Sequence, residues 1–292
     1  MGAGHPERPE RLAAIKDRLI ASGLDILLHH YEAPLVSREQ LERVHDPKYV
    51  DSIVEQSPQP GRLAWIDPDT AMNEHSLNAA LRAAGAVVLG VDLLMSGKEQ
   101  CAFCNVRPPG HHAEHNRAMG FCFFNNIAVG AAHALQHYGL QRIAIVDFDV
   151  HYGNGTEDIF RAEPRVMVFS TFQHPFYPYS GADTHLPNMI NVPLPAGTRS
   201  APYREAVEQY WLPALRKFKP ELIMISAGFD AHCDDHMAGL CLVDEDYAWV
   251  TRHIKNIAAE TAQGRIISTL EGGYELDALG RSVHAHLAVL AD

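Results

Sequence analysis

Residues 142–151 read Arg-Ile-Ala-Ile-Val-Asp-Phe-Asp-Val-His, and the fold class follows from them. The run begins short, apolar and β-branched, the mark of a strand covered on both faces, as in a parallel sheet. Three further runs share that character: 166–170 (VMVFS), 221–227 (ELIMISA) and 265–270 (RIISTL). Helix-like stretches surround them at 8–20, 74–95, 126–138, 201–218 and 244–262. Strands and helices in alternation predict an α/β domain with a central, mostly parallel sheet flanked by helices. The chain has 292 residues, 47% of them hydrophobic, which is ample for one large core. A single domain over 1–292 is therefore expected.

Three of the predicted strands run into polar or glycine-rich clusters: 149–155 (DVHYGNG), 228–231 (GFDA) and 271–274 (EGGY). In open α/β sheets the binding site lies beyond the carboxyl ends of the strands, so three distant segments can meet in one pocket. Asp147, Asp149 and His151 stand at i, i+2 and i+4. On a strand such side chains share one face, and Phe148 and Val150 take the other. Burying two carboxylates is costly unless they are paired or hold a metal. Asp230 closes another apolar strand, where its alternative is a simple turn residue. Asp149, His151 and Asp230 form a candidate site of two carboxylates and one histidine. It leaves a coordination position open, as a catalytic zinc requires. A set this rich in oxygen also admits Fe2+, Co2+ or Mn2+.

The segment 106–114 (VRPPGHHAE) places His111 and His112 behind two prolines and a glycine. The prolines stiffen the chain and the glycine lets it turn, so both rings can face one pocket. Amide hydrolysis needs a base for water, an acid for the leaving amine and a donor for the oxyanion. His112 is the candidate base and later acid, and His111 the candidate electrostatic support. Tyr274, behind Gly272 and Gly273, is the candidate oxyanion donor; the alternative is a ring that merely packs.

The formal net charge of -12 argues against general nucleic-acid binding and favours cationic partners. No uninterrupted apolar run reaches the ~18–20 residues of a membrane span, and residues 1–11 are polar. A soluble, cytoplasmic protein without a membrane partner is expected. Homo-oligomerisation is left open. The five cysteines are expected to be reduced thiols. Cys101 and Cys104 form a lone C-x-x-C without the second pair of a zinc ribbon, so packed thiols are expected ahead of a redox dithiol.

Several of these motifs, taken together and in order, resemble histone deacetylases: 106–114, 120–125 (GFCFFN), 146–155 (VDFDVHYGNG), 226–231 (SAGFDA) and 270–274 (LEGGY). The opening 5–12 (HPERPERL) fits as well, and 44–50 (VHDPKYV) matches more weakly. The wording is similar to class II members and their bacterial relatives. The resemblance implies an arginase–deacetylase fold with a parallel sheet of about eight strands. It implies zinc on Asp149, His151 and Asp230, with Asp147 behind His111 and Asn154 behind His112. Class I relatives carry Asp at the latter position. Phe121 would form one wall of an acyl-lysine tunnel and Tyr177, usually Phe, the opposite wall, in an alignment loose by one residue. Gly120, Gly272 and Gly273 are carried over as substrate-lining positions. Arg11 matches an arginine lining the acetate exit, with a surface ion pair as its alternative. A structural K+ would sit on backbone carbonyls of Asp147, Asp149 and His151 with Ser170 and Thr171. The family usually has a strand segment before 5–12, where this chain has only residues 1–4.

The expected substrate is an acetylated lysine in a protein or peptide. Polyamine-selective relatives can carry an acidic residue where this chain has Met237, which favours acyl-lysine over acetylpolyamine. Asp67 or Asp69 is a candidate for holding substrate backbone at the rim, or for capping a helix. Other readings are an acetylpolyamine amidohydrolase on the same site, a dimanganese ureohydrolase, and a binding protein that has kept the fold. The histidine pair and Tyr274 fit a mononuclear hydrolase better than the last two.

Overall fold

The computed structural model describes residues 1, 2 and 4–292. Eight strands appear among them: β1 (Ala64–Asp67), β2 (Thr70–Met72), β3 (Cys101–Cys104), β4 (Ile143–Asp147), β5 (Val166–Gln173), β6 (Met189–Leu194), β7 (Leu222–Ala227) and β8 (Ile266–Leu270). Six form the central sheet, all parallel, in the order β3-β8-β7-β4-β5-β6. The expected sheet of about eight strands is thus corrected to six. β1 and β2 pair only with each other, as an antiparallel hairpin. Two residues join them, and so short a link cannot make a parallel crossover.

The described helices are α1 (Glu10–Ser22), α2 (Arg38–Leu41), α3 (Pro47–Glu55), α4 (Ser76–Met95), α5 (Asn126–His137), α6 (Asn154–Phe160), α7 (Ser200–Ala206), α8 (Leu212–Phe218), α9 (Asp244–Thr261) and α10 (Leu276–Ala291). All five helices predicted from the sequence are present. The stretch 201–218 is interrupted by a wide π turn at Val207–Trp211. Pro213 follows two positions on, and in a regular helix its ring would meet the Gln209 carbonyl; the wider turn accommodates it.

Both sheet faces are covered. Ala144 and Val146 of β4 and Ile223 and Ile225 of β7 pack toward Trp211, Tyr247 and Ile254. Their neighbours Ile143, Ile145, Leu222 and Met224 pack toward Val87, Val91 and Ile127 on the other side. Double coverage is why these strands read as unbroken apolar runs. α4 is long and apolar enough to cross a membrane by composition, but 56% of its apolar window is buried inside the protein. There it serves as a core helix beside α5 and β3.

From β4 the chain proceeds outward to β5 and β6, then returns to place β7 on the opposite side of β4. This reversal makes β4 and β7 a topological switch, where a crevice opens at the strands' carboxyl ends.

The cysteine expectation needs correction: Cys233 and Cys241 form a disulfide, while Cys101, Cys104 and Cys122 are free. The bridge of His232 with Leu242, closed by Cys233 N–H to Leu242 O and Leu242 N–H to Ala231 O, lays the two cysteine segments side by side. Cys101 and Cys104 lie three apart on β3 and so point to opposite faces. Burial raises both thiols, Cys104 to about 12, which leaves them as packing groups.

Candidate metal centre and active site

β4 ends at Asp147, so Asp149 and His151 stand on the bend beyond it and not on the strand itself. The common facing persists through a chain of turns. Asp149 N–H donates to Asp147 Oδ1 at 3.1 Å, and His151 N–H donates to Asp149 Oδ1 at 2.8 Å. Phe148 and Val150 fill the core on the opposite side. Full burial of a side chain such as Phe148 contributes about 2–3 kcal/mol, which anchors the bend. Beyond β7, Asp230 accepts from Val150 N–H through Oδ1 at 3.0 Å. Beyond β8, Gly272 N–H donates to Asp149 Oδ2 at 2.8 Å. A Cβ on Gly272 would collide with both the Asp149 and Asp230 carboxylates.

Asp149, His151 and Asp230 are buried, and one ligand atom from each lies within 4.8 Å of the others. His151 Nδ1 is 3.0 Å from Asp149 Oδ1 and 3.2 Å from Asp230 Oδ2. Asp230 Oδ2 accepts no aligned hydrogen bond although buried. Burial and the neighbouring Asp149 raise Asp230 to about 6. Burial opposes charge on His151, yet the Asp149 and Asp230 carboxylates beside its Nδ1 raise it to about 10. Excess acceptors, one orphaned oxygen and attraction for a proton describe a pocket suited to a cation. The donor set fits a divalent metal.

His111 and His112 lie side by side with ring centres 4.1 Å apart. His111 Nδ1 meets Asp147 Oδ2 at 2.9 Å. Burial disfavours its charge, but Asp149, Asp147 and Glu271 hold its pKa well above the usual histidine value. His112 Nδ1 meets Asn154 Oδ1 at 2.8 Å. The Asn154 Nδ2 donates to Glu114 Oε1 at 2.7 Å, which fixes Oδ1 as the acceptor facing His112. Neutral His112 therefore carries its proton on Nδ1 and presents the Nε2 lone pair. Burial, then the charges of His111 and His151, push its pKa well down.

Tyr274 packs edge-on to Phe121 at 5.9 Å, with the Arg11 guanidinium 4.9 Å from its ring centre. Burial keeps its phenol protonated, with a pKa well above the ordinary value despite Arg11. Arg11 is fully buried and donates through Nε to Gly273 O at 2.6 Å, so its alternative as a surface ion pair is ruled out. Phe121 has φ of 68° after Gly120 at 56°, and Thr70 Oγ1 accepts its N–H at 3.0 Å. A side chain on Gly120 would strike the His112 ring. Tyr177 meets His112 edge-to-face at 5.3 Å, while Phe176 stacks on His151 at 5.4 Å. Phe121 thus stands on the Tyr274 side and Tyr177 on the histidine side. Met237 is half-buried in the 234–240 loop, its N–H held by Asp235 Oδ1.

Glu271 escaped the sequence reading although it lies within a quoted motif. Its Oε2 accepts from Gly110 N–H at 2.7 Å and His111 N–H at 3.1 Å, and its Oε1 from Ser226 Oγ at 3.0 Å. It ties the histidine loop to the ends of β7 and β8. Burial, offset by the positive His111, raises it to about 7. A charged residue closing an apolar strand was the available signal.

Residues 5–290 match the model of the histone deacetylase domain. The chain belongs to the histone deacetylase family. It is 36% identical over 279 residues to a histone deacetylase-like amidohydrolase of Pseudomonas aeruginosa, covering 93% of this chain and 73% of that one. It is 37% identical over 294 residues to the human polyamine deacetylase HDAC10, covering 95% of this chain and 43% of the human one. The crystal structure of the HDA15 HD domain superposes with a TM-score of 0.93 at 34% identity, over all of this chain and 83% of that one. This family member is accordingly a deacetylase-type hydrolase of amide bonds, consistent with the site.

Proposed function

We propose that this deacetylase is mononuclear and zinc-dependent, and releases acetate from Nε-acetyl-lysine in proteins or peptides. The observation that carries this reading is the convergence of Asp149, His151 and Asp230 beside His112. Asp149, His151 and Asp230 would hold the divalent ion, which would supply Lewis-acid polarisation of the acyl carbonyl and lower the pKa of water. His112 takes the proton of water at Nε2 and returns it to the departing amine. His111, protonated against Asp147, adds fixed positive charge. The Tyr274 phenol donates to the carbonyl oxygen as that oxygen gains charge. Phe121 and Tyr177 flank the lysine methylenes, each worth about 0.8 kcal/mol when buried. Gly120, Gly272 and Gly273 leave room for the amide. Fe2+ or Co2+ would suit the same ligands. A K+ beside β4 is supported by the buried, unpartnered hydroxyl of Ser170, next to Thr171 and paired in register with Asp147.

A second reading, an acetylpolyamine hydrolase, is favoured by Asp67 and Asp69 next to the tunnel. Asp69 is half-buried, and burial together with Asp67 raises it to about 6. The human relative is also called a polyamine deacetylase. Met237 leaves the rim uncharged at the position expected to meet a distal cation. The test compares kcat/KM of one zinc-loaded preparation on acetyl-lysine peptides and on acetylated polyamines. We expect the peptides to be preferred by at least about tenfold. A preference for the polyamines would replace the first reading with the second.

A further inference from the structure

Tyr274 is carried by a segment with little stiffness of its own. Gly272 and Gly273 precede it, and Gly273 has φ of 118°, open to glycine and strained for other residues. An oxyanion donor acts only if its position is fixed before reaction. Upstream, Gly272 N–H is held by Asp149, and Gly273 O accepts from Arg11. Downstream, one buried carboxylate secures the segment. Asp235, 5% exposed, accepts from Tyr274 N–H at 2.6 Å and Glu275 N–H at 3.0 Å, both on Oδ2.

Asp235 is itself firmly mounted. Its N–H donates to His232 O at 3.0 Å, and its Oδ1 accepts from Met237 N–H at 2.9 Å. The neck of its loop is closed by the Cys233–Cys241 disulfide. It is closed again by Cys233 N–H to Leu242 O at 2.9 Å and Leu242 N–H to Ala231 O at 3.0 Å. Asp235 stands five positions after Asp230. One braced loop thus carries a metal-site carboxylate at its root and the hold on Tyr274 near its tip.

We propose that Asp235 is the positioning residue for Tyr274, fixing the backbone from which the phenol reaches the acyl carbonyl. The inference rests on the deacetylase reading above. Asp235 touches no substrate; it acts through Tyr274. The competing role is a plain brace at the amino end of α10, where Glu275 is the cap.

The test uses the full zinc-loaded chain and an acetyl-lysine peptide. Asp235→Ala should lower kcat on the order of 10²-fold, with KM within about twofold and metal stoichiometry unchanged. Asp235→Asn, which keeps one acceptor oxygen, should fall between it and the wild type. In a Tyr274→Phe background, Asp235→Ala should cost less than about twofold more, because the group it positions is gone. A wild-type kcat in Asp235→Ala would overturn the proposal. An equal loss in both backgrounds would also overturn it, since that marks a brace. Hydrogen exchange gives a reading independent of turnover. The Tyr274 and Glu275 amides should exchange at least about tenfold faster in Asp235→Ala, and unchanged protection would overturn the proposal. An inactive wild type would sink the deacetylase reading, while the exchange rates would still judge Asp235.

Discussion

His111 and His112 are neighbours in sequence and the same in chemistry, yet their surroundings drive their protonation apart. Burial penalises charge on both. Asp147, Asp149 and Glu271 outweigh that penalty at His111. At His112 the partner is the neutral Asn154, and the nearby positive rings add to the penalty. Those opposite shifts suit the roles proposed above, His111 as the fixed cation and His112 as the base. Asn154→Asp would put a carboxylate against His112 Nδ1, raising its pKa by about one unit or more. The base must be unprotonated, so the acidic limb of kcat/KM should move to higher pH by that amount. A pH–rate profile superimposable on the wild type would remove Asn154 from its assigned role. The histidine pair was legible because Pro-Pro-Gly before two histidines is unusual. The opposite protonation was not, because it depends on Glu114 orienting the Asn154 amide and on Glu271, both brought in by folding.

At the scale of elements, the weakly matching stretch 44–50 begins α3 and ties it to the start of α5. Asp46 caps α3 through Lys48 N–H, with Pro47 in the first turn. His45 bridges: Nδ1 lies 3.0 Å from Glu114 O, and Nε2 accepts from Asn125 N–H at 3.0 Å. Asn125 caps α5, four positions after Phe121. This geometry requires a neutral ring, and burial lowers its pKa from 6.5 to about 4. Between those values the unfolded chain binds a proton that the folded one refuses. The His45 contribution is therefore present above pH 6.5 and lost as the pH falls toward 4. The window corresponds to about 3 kcal/mol at most. His45→Gln should be less stable at pH 7 and should lose less further stability on acidification, as read from denaturant melts. Parallel stability–pH curves for variant and wild type between pH 7 and 4 would contradict this. Strands buried on both faces were plain in the sequence. β3 was too short to stand out, and β6 carries Pro193 at the sheet edge, where a missing donor is tolerated.

At the scale of the whole molecule, the order of the strands creates the site. β4, β7 and β8 lie next to one another, so residues 149–151, 230 and 271–274 meet at one edge although far apart in the chain. The sequence showed three strand ends rich in ligands and glycine. It did not show that β7 returns beside β4, or that Cys233 pairs with Cys241, since both depend on contacts between distant segments. A metal held there, as proposed, would also account for the one oxygen of this buried carboxylate cluster without a hydrogen-bond partner, Asp230 Oδ2. The most direct measurement is a titration of chelator-treated protein with Zn2+, following bound metal and acetate release together. We predict one ion per chain, turnover restored in proportion to occupancy, and both lost in Asp230→Ala. Amide hydrolysis by the metal-free chain, or stoichiometric zinc uptake and full turnover in Asp230→Ala, would contradict the account.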